Sequence, residues 1–114
     1  MLQIFGTAKC KNTQKAQRFF KERGIVFQFI DLSQKAMSKG ELESITRSIP
    51  LESLMDTTCK EYERLNLKYI IHDKKEQLLE HPLLFVTPVV RCSKSASVGF
   101  APDLWLSFAQ QEKK

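Results

Sequence analysis

No apolar run in this 114-residue chain approaches the roughly 20 residues that a membrane helix needs. The opening Met1-Leu2-Gln3-Ile4-Phe5-Gly6 has no basic stretch leading into an apolar one, so a secretory signal is not expected. Cysteine is scarce and odd in number. Cys10, Cys59 and Cys92 are too widely spaced for a disulfide framework, which fits a reducing, cytoplasmic setting. Short Cys-x-x-Cys and His-x-x-x-His spacings are missing, and His72 and His81 stand nine apart, so no metal site is expected. Glycine and proline number four each, too few to build a linker, and no repeat divides the chain. One domain over residues 1–114 is the expectation.

Acidic residues are sparse where basic ones gather. Lys plus Arg is 18 and Asp plus Glu is 13, a formal net charge of +5. Residues 1–37 carry seven bases (Lys9, Lys11, Lys15, Arg18, Lys21, Arg23, Lys35) against Glu22 and Asp31. The remaining residues carry eleven of each sign, so the whole surplus lies in the first third. No recognition motif or aromatic interleaving accompanies it, and direct nucleic-acid binding is not expected.

Periodicity supplies the architecture. Leu2–Phe5 reads as a strand ended by Gly6. Residues Lys11–Arg23 read as a helix, with Thr13, Ala16 and Phe20 on one face and Gly24 free to take a left-handed conformation after it. Ile25–Ile30 is a mostly apolar strand, expected to be buried on both faces. Strand, helix and strand within thirty residues make a βαβ unit with parallel strands. Three helices follow as an insertion over about 38–82. Ser38-Lys39-Gly40-Glu41 and Thr58-Cys59-Lys60-Glu61 are capping-box patterns, Pro50 is expected to stop the first helix, and Asp73-Lys74-Lys75-Glu76 opens the third. Val86–Val90 and Ser97–Phe100 read as a hairpin around Ser93-Lys94-Ser95-Ala96, and Pro102-Asp103 starts a last helix carrying Leu104, Trp105 and Phe108. The order is β-α-β, helices, β-β-α.

Cys10 is the residue whose position carries chemistry. It stands where the first strand's loop meets the first helical turn, where free amide N–H groups and the helix dipole favour an anion. Lys9 and Lys11 flank it and Lys15 is one turn on, surroundings that lower a cysteine pKa and expose the nucleophilic thiolate. Thr13, three residues after Cys10, offers a hydroxyl where a dithiol motif has its second sulfur; it can donate to a thiolate but cannot resolve a mixed disulfide, and a helix-surface or capping threonine fits the position equally well. Thr87-Pro88 breaks a good strand pattern. An edge position is the simpler explanation, and a cis peptide facing a ligand is the other. Arg91 fits an anion contact or a solvated strand end equally well. Cys59 and Cys92 read as structural, although a Cys10–Cys59 disulfide is compatible with the sequence.

These pieces together resemble a known family. Phe5-Gly6 with Cys10-x-x-Thr13-x-Lys15-Ala16, then Glu80-His81-Pro82-Leu83-Leu84, Thr87-Pro88-Val89-Val90-Arg91 and Val98-Gly99-Phe100-x-Pro102 before Trp105 are similar to the arsenate reductase-like (ArsC) and Spx family of the thioredoxin fold. The likeness runs over nearly the whole chain. It implies a mixed, mainly four-stranded sheet, Cys10 as a redox nucleophile, a cis Thr87-Pro88 bond facing it, and glutathione, glutaredoxin or thioredoxin as thiol partner, with no bound cofactor. It also implies departures. Asp56, Thr87 and Ala101 stand where the arsenate reductases place the arginines that hold the oxyanion, so arsenate reduction is not expected. Spx-type regulators usually carry Cys-x-x-Cys, and Thr13 removes that switch, although binding to the α subunit of RNA polymerase would not need it. A cytoplasmic, bacterial monothiol reductase is the first expectation and an Spx-like regulator the alternative.

Overall fold

The computed structural model describes residues 2–92 and 95–112. Four strands form one sheet in the order β2-β1-β3-β4. β1 (Leu2–Gly6) sits inside it, parallel to β2 (Phe27–Asp31) and antiparallel to β3 (Val89–Arg91), and β3 pairs antiparallel with β4 (Ala96–Val98). This is the mixed sheet of a thioredoxin fold.

α1 (Lys11–Glu22) buries Thr13, Ala16 and Phe20, and Gly24 follows with φ +69°. Only a residue without Cβ takes that conformation at no steric cost. α1 and α6 (Pro102–Glu112) cover one face of the sheet, where Leu2, Ile4, Ala16, Phe20, Val90, Trp105 and Phe108 form a core. The opposite face of β1 and β3, with Phe5 and Val89, packs into a second core under the helices that follow β2. Alternation along each strand decides which core a residue joins.

β2 corrects an expectation. It starts two residues late, leaves Val26 74% exposed, and lies at the sheet edge with Gln28 exposed. A short apolar run looks the same for an edge and a central strand, and the pairing order decides between them.

The α-helices between β2 and β3 number four, with short 3-10 turns at Leu67–Tyr69 and Pro82–Leu84. α2 (Lys39–Thr46) carries the capping box in full: the Glu41 amide donates to Ser38 Oγ at 3.1 Å, and the Ser38 amide to the Glu41 carboxylate at 2.9 Å. It ends before Pro50, which instead caps α3 (Leu51–Leu54), a turn the sequence pattern did not show. The second capping box does not form. Thr58 gives its hydroxyl to the Asp56 carboxylate at 2.6 Å, and Cys59 is the N-cap of α4 (Lys60–Arg64) with no side-chain cap bond. α5 (Lys74–Glu80) starts on Asp73, whose carboxylate accepts from the amides of Lys75 and Glu76.

The expected strand from Val86 also splits. Phe85 bridges Met55, and the Val86 amide donates to the Leu54 carbonyl at 2.8 Å, so these residues tie to the insertion and β3 begins only at Val89. β4 likewise starts at Ala96 rather than Ser97 and ends at Val98. Ser93 and Lys94 of the expected turn lie outside the described residues.

Candidate functional site

Cys10 occupies the N-cap of α1 with extended backbone (φ −74°, ψ 118°). The loop leading to it is held from both sides: the Cys10 amide donates to the Thr7 carbonyl at 3.2 Å, and Gln14 Nε2 to the Ala8 carbonyl at 2.7 Å. Its sulfur is partly buried. Thr87 Oγ1 donates to Sγ at 3.0 Å, and Sγ lies 3.8 Å from the Thr87 carbonyl. The Thr87-Pro88 bond is cis, and Pro88 is buried just before the central strand β3. The edge explanation of that proline therefore fails, and the arrangement implied by the family resemblance is the one found.

Burial alone would raise the Cys10 pKa. Hydrogen bonds from the Thr13 and Thr87 hydroxyls and the amides of Thr13 and Asn12 outweigh it, and the net shift is downward. The Thr13 hydroxyl is fully buried and makes no hydrogen bond to any other group, which leaves it available to the Cys10 sulfur. A buried hydroxyl without a partner is costly, and a thiolate at Cys10 would give it an acceptor. Gly6 makes room for it, since a Cβ there would overlap the Thr13 hydroxyl.

The lysines act otherwise than expected. Lys9, Lys11 and Lys15 are all exposed, and Lys15 Nζ lies 5.2 Å from the centre of the Phe100 ring. The downward shift at Cys10 arises from short hydrogen bonds, because charges on flexible side chains in water are strongly screened. Lys9 instead borders a cleft of about 370 Å³ with Thr7, Ala8, Asp31, Ser33 and Leu83. Arg91 is also away from the sulfur. It pairs across β1 with Gln3, donating to Gln3 Oε1 at 2.9 Å, at the end of the sheet opposite the Gly6–Cys10 loop. Sequence reasoning missed Gly6, Asn12 and Gln14, whose roles are backbone and packing contacts; the Gly6–Thr13 approach leaves no mark in a residue pattern.

Cys59 Sγ contacts the carbonyls of Asp56 at 3.2 Å and Leu83 at 3.9 Å, and Cys92 is buried. All three cysteines are free thiols. Of the three residues that the resemblance set against oxyanion arginines, Asp56 turns its carboxylate to Thr58, Thr87 donates to the sulfur, and Ala101 offers no charge. Among the described residues no group of His, Cys, Asp and Glu is placed to hold a metal ion. No helix of the described residues is long and apolar enough to cross a membrane.

Chemically, the site holds one partly buried sulfur, its pKa lowered by hydrogen bonds, beside a buried proline, and has no second thiol one turn away. It can form a covalent bond to a soft electrophile and must leave that bond for an outside group to break.

A global transcriptional regulator, Spx 2, of Oceanobacillus iheyensis is 29% identical over 105 residues, 88% of this chain and 77% of that protein. Spx 2 of Bacillus anthracis is 25% identical over 105 residues, 88% of this chain and 80% of that protein. An arsenate reductase from Vibrio cholerae superposes with a TM-score of 0.80 at 23% identity, covering 94% of this chain and 96% of that one. A putative arsenate reductase from Yersinia pestis gives 0.81 at 19% identity over 94% and 99%. At those identities the superpositions establish the fold. The model of the ArsC family matches residues 5–108, nearly the whole chain, and the protein belongs to that family.

Proposed function

We propose that the protein is a thiol–disulfide oxidoreductase using Cys10 as a monothiol nucleophile. The observation that carries this reading is the Cys10 sulfur, partly buried at the N-cap of α1, taking a hydrogen bond from Thr87 and held below the usual thiol range. In the first step the thiolate attacks one sulfur of a disulfide, forms a mixed disulfide at Cys10 and expels the other half as a thiolate. In the second, an external thiol attacks that mixed disulfide and returns Cys10. Thr13 cannot perform this second step, so glutathione, or a glutaredoxin or thioredoxin, supplies the electrons. Thr87 and Pro88 line the approach to the sulfur. Arsenate is not the proposed substrate, because Asp56, Thr87 and Ala101 offer no cation to a dianion. A glutathione-dependent disulfide reduction assay tests the reading. Wild type is expected to turn over and Cys10→Ser to be inert; equal rates for the two would sink it.

The second reading is an Spx-like regulator that binds RNA polymerase, through its α subunit, in the cytoplasm. The curated Spx 2 relatives favour it. A pull-down with the C-terminal domain of the polymerase α chain as bait decides, and no binding at micromolar concentration removes this alternative.

A further inference from the structure

The edge strand β2 lies open beside a basic cleft. The Leu32 amide donates to the Gly6 carbonyl at 2.8 Å, extending the β1–β2 ladder. Backbone groups alternate sides along a strand, so Gln28, Ile30 and Leu32 address β1 while Phe27 and Phe29 point theirs outward. Between Phe27 and Ile30 the edge carries no proline, no lysine and no bulge, and the strand's one charged residue is Asp31 at its far end. Next to it a cleft of about 590 Å³ is lined by Gln17, Arg18, Lys21 and Glu22 of α1 and by Phe27. Arg18 and Lys21 are exposed, and among the described residues neither takes part in an ion pair.

We infer that this edge docks an extended acidic polypeptide segment of a partner, which adds as a fifth strand beside β2. Main-chain bonds to Phe27 and Phe29 hold the segment, and its carboxylates meet Arg18 and Lys21. Charge selects the occupant. A second copy pairing edge to edge would bring together two clefts that are each net positive, Arg18 and Lys21 against Glu22, whereas an acidic strand neutralises one. The site is remote from the thiol. Lys21 is eleven residues beyond Cys10, about 16 Å along the helix axis. Phe27 pairs with Leu2, at the opposite end of β1 from the Gly6–Cys10 loop. Partner docking and thiol chemistry are therefore compatible on one molecule.

The test uses a blocked, fluorescein-labelled hexapeptide of alternating glutamate and valine, read by anisotropy against the full chain. Binding is expected, together with slowed amide exchange at Phe27 and Phe29. Replacing glutamate by lysine in the peptide, N-methylating all its internal amides, or introducing Arg18→Glu with Lys21→Glu should each weaken binding at least about tenfold. Cys10→Ser should bind as wild type does, which keeps this test separate from the thiol reaction. Absence of binding at millimolar peptide overturns the inference. So does equal affinity for the lysine or N-methylated peptide, or unchanged exchange at Phe27 and Phe29. Sedimentation showing that the chain dimerises through this edge overturns it as well.

Discussion

Thr13 stands where a dithiol motif carries its resolving sulfur, and its hydroxyl changes what the site can do. It is buried against Gly6, makes no hydrogen bond to any other group, and stabilises the anion of Cys10 together with Thr87. Hydrogen bonds to a charged group are worth about 1.5–3 kcal/mol. Thr87→Val and Thr13→Val should therefore each slow alkylation of Cys10 at neutral pH by about tenfold or more, measured with iodoacetamide. In both variants the midpoint of the pH–rate curve moves up, towards the ordinary thiol value; an unmoved midpoint would falsify the hydrogen-bond account. The same shift links to stability. A folded pKa below the unfolded one gives stabilisation that is complete above the unfolded value and fades as pH falls through the folded value. Cys10→Ser is expected to lower the urea midpoint more at about pH 9 than at about pH 6, because the ordinary thiol titrates near 8.5. Lys9, Lys11 and Lys15 are exposed to solvent, and their single alanine variants should leave the Cys10 midpoint unchanged.

At the scale of elements, the β1–α1 junction is the part that tolerates least. Gly6→Ala forces a Cβ into the Thr13 side chain, whose neighbours are backbone and core. Overpacking of this kind costs about 1–3 kcal/mol. The variant should lose stability and Cys10 reactivity together, read by urea unfolding and alkylation on the same preparation. The α2 capping box is a separate, local contribution. Ser38→Ala removes the acceptor for the Glu41 amide and should cost about 1 kcal/mol with no change in Cys10 alkylation. The starts of α2 and α5 were legible from residues alone: Ser38 and Glu41 have the spacing, and Asp73 caps α5 as its position suggested. Thr58-Cys59-Lys60-Glu61 has the same spacing and fails. Asp56 lies two residues before Thr58 and takes its amide and hydroxyl, so a stronger charged acceptor wins the local competition. Pro50 misled for a related reason, since a proline that ends one helix is equally suited to begin the next.

For the molecule as a whole, the sheet is the common wall of two cores. β1 sends Leu2 and Ile4 to one and Phe5 to the other, and β3 divides Val90 and Val89 in the same way. Neither core can open without exposing a strand that the other needs. Trp105, the single tryptophan, is buried in the α1–α6 core, while far-UV circular dichroism also reports the helices of the insertion. The two signals should trace coincident urea transitions. An earlier circular-dichroism transition would show the insertion unfolding by itself. Trp105→Ala should cost about 3–5 kcal/mol, the range for truncating a buried aromatic.

The sequence by itself determined the order of elements, the helix starts at Ser38 and Asp73, and the thiol at the head of α1. Each rests on interactions within a few residues, where periodicity and capping chemistry operate. Tertiary structure decided the rest. It set β2 at the edge, gave Phe85 and Val86 to the insertion rather than to β3, and carried Arg91 to the far end of the sheet. It also determined that hydrogen bonds from Thr13 and Thr87, rather than the neighbouring lysines, lower the Cys10 pKa. Thr87 reaches that sulfur across 77 positions of sequence, and no local pattern records a contact closed over such a distance.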